Sequence, residues 1–139
     1  MTQEDKELLL KDLCARLLYS IKVHHYQGSN CILKFINLIT YAAYVEVYDC
    51  IVFKDFIQDG QRRIFEYKPY LRPMSSMTKE ERNEYDSKRK HICDDYNRYC
   101  FDTVASIDWL NAHHFDYRGL IEKGLAIAVT EENNPYKEK

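Results

Sequence analysis

The sequence predicts an α+β fold: a small antiparallel sheet of four to six strands, flanked by an N-terminal helix and C-terminal helices. Three observations predict it. Leu9, Leu10, Leu13, Cys14, Leu17 and Leu18 recur every three or four residues, which is one apolar face of a helix. Residues 19–67 are rich in Ile, Val, Phe and Tyr and are broken by turn-forming residues at short intervals, too short for crossover helices. Beyond Pro73 helix-start signals return, at Thr78 and at Asp102-Thr103.

In chain order, Thr2 caps the first helix, with Gln3, Glu4 and Asp5 in its positive first turn, and the helix runs to about Leu18. Tyr19–Tyr26 alternates, Ile21 and Val23 against Lys22 and His24, as a half-buried strand does. Gln27-Gly28-Ser29-Asn30 turns the chain into a hairpin partner. Cys31–Thr40 and Tyr44–Phe56 supply two or more strands, with a bend at Tyr41-Ala42-Ala43. Asp59-Gly60 is a turn, and Gln61–Tyr67 is a further strand carrying Ile64 and Phe65. Lys68-Pro69-Tyr70-Leu71-Arg72-Pro73 then ends the sheet, because its two prolines argue against a central strand.

Thr78 with Glu81 forms a capping box for a second helix to about Lys90. That helix is almost wholly polar, with the opposite-charge pairs Glu84/Lys88, Arg82/Asp86 and Asp86/Lys90, so it is expected on the surface. His91–Tyr99 carries no clear period. Asp102 or Thr103 caps a third helix, whose Val104, Ile107 and Leu110 and adjoining Ala105, Trp109 and Ala112 predict the most buried helix of the chain. It ends near His113-His114, and the first and third helices are expected on the sheet. Asp116 caps a short helix, Tyr117–Lys123, which Gly124 stops in the left-handed conformation. Leu125–Val129 is a last strand. The domain so predicted covers residues 1–130, and 131–139 is a polar tail that frays.

Composition narrows the function classes. At 139 residues with 45% hydrophobic side chains, the chain suffices for one domain with a real core. Its 12 Tyr suit core edges and contact surfaces alike, because Tyr buries a ring and keeps a wet hydroxyl. A net charge of −2 exerts no global pull toward nucleic acid or membrane. Charge is nevertheless segmented: 9 basic and 5 acidic residues over 61–91 stand between acidic flanks. The five cysteines are odd in number and form no Cys-x-x-Cys, the usage of reduced thiols in a cytosolic protein. The N-terminus lacks a signal-peptide plan, and the apolar run Cys31–Val47 is interrupted by Lys34, Asn37 and Glu46. A cytoplasmic protein with no membrane partner is expected.

Lys6–Leu17 (KELLLKDLCARL), Lys68–Glu81 (KPYLRPMSSMTKEE) and Ser106–Ile127 (SIDWLNAHHFDYRGLIEKGLAI) together resemble a family of short uncharacterised proteins. Members are encoded by Bacteroides-type gut bacteria, often in prophages and other mobile elements. The resemblance implies a mobile-element accessory protein of unknown activity; phage accessory proteins of this size often block a host or defence component, and that is the expectation here. It supplies no catalytic residues, and it does not extend to residues 19–67.

Among the residues themselves, the leading candidate surface is Arg62, Arg63, Tyr67, Lys68, Tyr70 and Arg72, where cations alternate with aromatic rings. This segment offers a protein contact. Alternatively, residues 61–91 bind nucleic acid, with Arg and Lys on phosphates and Tyr67 or Tyr70 stacked on bases. A sheet edge with solvated charges and packed Tyr rings accounts for the same pattern. His113, His114, Asp116, Tyr117 and Arg118 form a secondary cluster. Its histidines and Asp116 raise a metal-dependent enzyme as a third reading, but adjacent helical side chains point about 100° apart, and a helix cap explains them as well. His91, Cys93 and Cys100 are a partial zinc set with no evident fourth ligand. Cys, His and Asp show no nucleophile spacing, and no Gly-rich turn precedes a Lys, so no catalytic residue, metal or cofactor is assigned. The expectation is a non-enzymatic protein-binding accessory protein.

Overall fold

The structure, a computed structural model, describes residues 2–25, 30–36, 43–47, 50–52, 67–93, 95–96 and 98–137. Helix α1 (Gln3–Arg16) starts where Thr2 accepts the Asp5 N–H while the Asp5 carboxylate accepts that of Thr2, a reciprocal capping box. A short 3₁₀ turn, Leu17–Tyr19, leads into β1 (Lys22–His25). β2 (Asn30–Ile36), β3 (Ala43–Val47) and β4 (Cys50–Val52) follow as an antiparallel meander, and a bulge between Leu33 and Phe35 shifts the β2–β3 register. The predicted turns at 27–29 and Asp59-Gly60, and nearly all of the predicted strand Gln61–Tyr67, lie outside the described residues.

The proline-bearing segment does not end the sheet. It forms β5 (Tyr67–Leu71), which returns beside β1 with Pro69 opposite Val23. β8 (Ile127–Ala128) closes the order β4-β3-β2-β1-β5-β8 and pairs parallel to β5, so the six-stranded sheet is mixed rather than purely antiparallel. β8 meets β5 only at Tyr70 and Leu71. Among the described residues no strand pairs with β5 at Pro69 on that side, so its missing N–H breaks no ladder bond there.

Helix α1 lies on this sheet. Its Leu9 and Leu13 join Ile21, Val23, Cys31, Leu33, Tyr67, Leu71, Leu120 and Leu125 in one buried cluster. Each such Leu contributes about 1.5–3 kcal/mol by leaving water. A second cluster forms between α2 (Lys79–Lys88) and α3 (Val104–Ala112): Tyr85, Trp109, Leu110 and Phe115. Thus α3 packs chiefly on α2 and only touches α1, instead of covering the sheet as expected. Its buried residues are Ser106, Trp109, Leu110 and Asn111, whereas Val104 is 80% exposed. Thr103 caps it, with Ser106 completing the box. Between α2 and α3 stand β6 (Lys90–Cys93) and β7 (Arg98–Phe101), a separate two-stranded antiparallel ribbon.

The expected helix Tyr117–Lys123 is a run of turns. Asp116 still caps it, both carboxylate oxygens accepting from Leu120 and Ile121 N–H. Gly124 adopts φ +74° at its end, as the sequence predicts. The tail does not fray through its described part: Tyr136 packs on the sheet cluster, accepts the Lys22 N–H and donates to the Tyr70 carbonyl. Among the described residues no helix is long and apolar enough to cross a membrane.

Candidate functional site

The structure redistributes the residues that the sequence groups into one surface. Arg62 and Arg63 lie outside the described residues. Tyr67 is 4% and Tyr70 3% exposed: Tyr67 joins the sheet cluster, and Tyr70 packs edge-on against His24. The Tyr70 hydroxyl donates to Asn30 Oδ1 at 2.8 Å, and burial raises its pKa. Neither ring is placed to stack on a base, which corrects that expectation. Arg72 makes two 2.7 Å bonds to the Glu81 carboxylate, and its guanidinium lies 4.2 Å from the Phe115 ring centroid. These bonds hold the Glu81 carboxyl down at about 2. Among the described members of this group, Lys68 is the exposed one.

The secondary cluster also separates into structural roles. His113 stacks on Trp109 at 4.1 Å, and its Nδ1 donates to the Trp109 carbonyl. His114 has φ +64° and ends α3: Phe115 N–H reaches the Leu110 carbonyl and His114 N–H that of Asn111. Its ring stacks on Tyr136 at 3.8 Å, and burial lowers its pKa to about 4. The Tyr117 hydroxyl donates to Asn111, and Arg118 donates to the buried Asp12 at 2.9 Å. Among the described residues no three His, Cys, Asp or Glu side chains gather to hold a metal ion.

What the fold does present is the ribbon. All eight residues of β6 and β7 are exposed. Residues directly opposite in an antiparallel pair share a face, and the pairs are Lys90/Phe101, His91/Cys100, Ile92/Tyr99 and Cys93/Arg98. One face therefore carries Lys90, Ile92, Tyr99 and Phe101, and the other His91, Cys93, Arg98 and Cys100. On the first, Tyr99 and Phe101 stack at 6.3 Å, and Ile92, Tyr99 and Phe101 are 42%, 44% and 49% exposed. The ribbon is anchored at its foot, where Arg89 pairs with Asp86 and Asp102 and its guanidinium lies over the Tyr85 ring. Sequence reading misses it because each run is only four residues long and β6 sets Lys90 beside Ile92 and His91 beside Cys93, so no period-2 contrast carries through both strands. The one signal is Asp94-Asp95-Tyr96-Asn97, a turn-like composition between two short runs.

At the foot of β7 opens a cleft of about 480 Å³, lined by Tyr85, Asp102, Asp116, Tyr117 and Glu122, with Pro73 and Met74. The Tyr85 hydroxyl donates to Asp102 at 2.5 Å, and burial, with that carboxylate beside it, pushes its pKa up to about 12. Its groups are engaged within the chain: Arg89 meets Asp102 and the Tyr85 ring, Arg16 and Arg118 lie over the Tyr117 ring, and Asp116 accepts the Leu120 and Ile121 N–H groups. No protein-family model, no curated protein and no solved structure matches the chain.

Proposed function

We propose that the protein is a non-enzymatic binding module that engages another protein through the apolar face of the β6–β7 ribbon. The observation that carries this reading is the alignment of Ile92, Tyr99 and Phe101 on one solvent-facing side of a two-stranded ribbon. A hairpin alone is marginal in water, and grouped exposed apolar side chains mark contact sites. Aromatic residues supply most of the binding energy at such contacts. Lys90 and Asp102, of opposite sign near the ribbon's edge, favour a protein over the uniformly anionic backbone of a nucleic acid. The resemblance to mobile-element proteins makes a host or defence protein the natural partner.

The test is affinity capture with the wild-type protein and with the Tyr99→Ser/Phe101→Ser double variant, both shown by thermal melt to be folded. A protein retained by the wild type and lost at least about tenfold in the double variant supports the reading, since truncating one anchor costs about 1–2 kcal/mol or more. Capture that is unaffected by the double variant overturns it.

A further inference from the structure

The second face of the ribbon gathers nucleophilic and titratable side chains that this binding reading does not use. Alternation puts His91, Cys93, Arg98 and Cys100 there together. All four are exposed. The His91 ring is held at both nitrogens. Nε2 lies 2.7 Å from the Asp86 carbonyl oxygen, near the C-terminal end of α2. Nδ1 lies 3.0 Å from Cys100 Sγ.

These contacts fix the tautomer. A carbonyl oxygen only accepts, so Nε2 carries the hydrogen. In the neutral ring Nδ1 is then the bare nitrogen, and the Cys100 thiol is the donor to it. Transfer of that proton gives a thiolate beside an imidazolium whose second N–H remains bonded to Asp86, where helix-end carbonyls favour a cation. Nucleophile, base and orienting group thus stand in the relation that activates a thiol.

Among the described residues, Cys14, Cys31 and Cys93 lack this arrangement. Cys93 shares the face and is exposed, but its sulfur meets the Arg98 guanidinium, Nε at 3.4 Å, which can stabilise a thiolate yet cannot act as a base. Cys31 is buried and directs its thiol to the Val23 carbonyl. Cys14 is half-buried, and burial raises its pKa. Arg98 stands near both ribbon thiols, and each raises its pKa, Cys93 foremost through its hydrogen bond. The Arg98 guanidinium on the same face favours an anionic reagent.

We propose that Cys100, activated by His91, is a modification site that undergoes thiol–disulfide exchange with small anionic disulfides of the glutathione type. The Cys100 thiolate attacks one sulfur of the disulfide. A new sulfur–sulfur bond forms to Cys100 as the old one breaks, and the electron pair leaves on the departing thiolate, which takes the proton held at His91 Nδ1. The products are a mixed disulfide on the protein and one free small thiol. The proposal stands on the ribbon face opposite the apolar contact and does not depend on that contact.

The experiment treats the fully reduced protein with oxidised glutathione at neutral pH and follows adducts at each cysteine by peptide mass mapping. Cys100 is expected to acquire glutathione at least about tenfold faster than Cys93, in line with the effect of a positioned base. His91→Gln is expected to bring Cys100 down to the Cys93 rate. In denaturant, where the dyad is lost, the two rates should converge without any substitution. Arg98→Ala is expected to slow the reaction with oxidised glutathione and not with the uncharged bis(hydroxyethyl) disulfide. Equal rates at Cys93 and Cys100 in the native wild type overturn the site, as does an unchanged Cys100 rate in a folded His91→Gln protein. Equal slowing with both disulfides overturns the preference for an anionic reagent.

Discussion

Asp12 and Arg16 are the residues whose roles depart furthest from their sequence context. Four apart on α1, they have the spacing of a solvent-exposed ion pair. Both are fully buried. Arg16 donates from Nε and Nη2 to the two Asp12 oxygens and from Nη2 to the Phe115 carbonyl, while Arg118 reaches Asp12 from the other side. One carboxylate so ties α1 to the turn after α3. Removing one partner of a buried pair leaves the other charges uncompensated. Asp12→Asn is therefore expected to lower the unfolding free energy by about 3 kcal/mol, read from urea denaturation. His114 gives a second prediction at this scale. Burial, reinforced by Arg16, His113, Arg72 and Lys22, holds its imidazole at about 4, against about 6.5 in an unfolded chain. Between those values the unfolded state binds a proton that the folded state does not. Stability is thus full above about pH 6.5 and declines as pH falls toward 4, by about 3 kcal/mol. Glu81 lies outside most of this window, since Arg72 holds it at about 2. His114→Asn keeps a residue tolerant of the left-handed conformation and should flatten the profile of urea midpoint against pH. A slope unchanged by that substitution would assign the effect elsewhere.

Among the elements, the helix starts are the most legible. Thr2, Thr78 and Thr103 each cap a helix through a reciprocal box, because a cap is a local hydrogen bond between residues three apart. Gly124 belongs to the same class: its φ of +74° closes the turn in which Leu125 N–H reaches the Leu120 carbonyl. An added Cβ there meets nothing within 4 Å. Gly124→Ala should accordingly cost only the backbone term, about 1 kcal/mol, seen as a small drop in thermal midpoint. A much larger drop would mean that the turn cannot relax around the side chain. The strands are less legible where pairing overrides composition. Pro69 counts against a strand, yet β5 accepts it because β8 is too short to require its N–H. β6 and β7 escape a reading of the sequence because neither buries a face, and burial is what writes alternation into a sequence.

Across the whole molecule, the chain's end closes on its beginning. Tyr136 lies in a stretch as polar as any tail, but its ring covers His114 and its hydroxyl joins β1 to β5. Tyr136→Phe should cost about 1 kcal/mol for the lost bonds, and Tyr136→Ala about 3 kcal/mol with the ring. Equilibrium unfolding distinguishes the two, and equal effects would assign Tyr136 a polar role alone. The sequence by itself determined the α+β class, the first hairpin, the caps, Leu9 and Leu13 as the buried anchors of α1 and the buried face of β1, since these follow from local hydrogen bonds and from periods of 3.6 and 2, whereas Leu18, on the same predicted face, stands 91% exposed. Only the tertiary structure decided that Tyr67 and Tyr70 belong to the interior, that His113 stacks on Trp109 and His114 on Tyr136, and that exposed chemistry collects on β6–β7. Those outcomes depend on which strand lies beside which and on what covers each face, and neither is encoded in the spacing of residues along one segment.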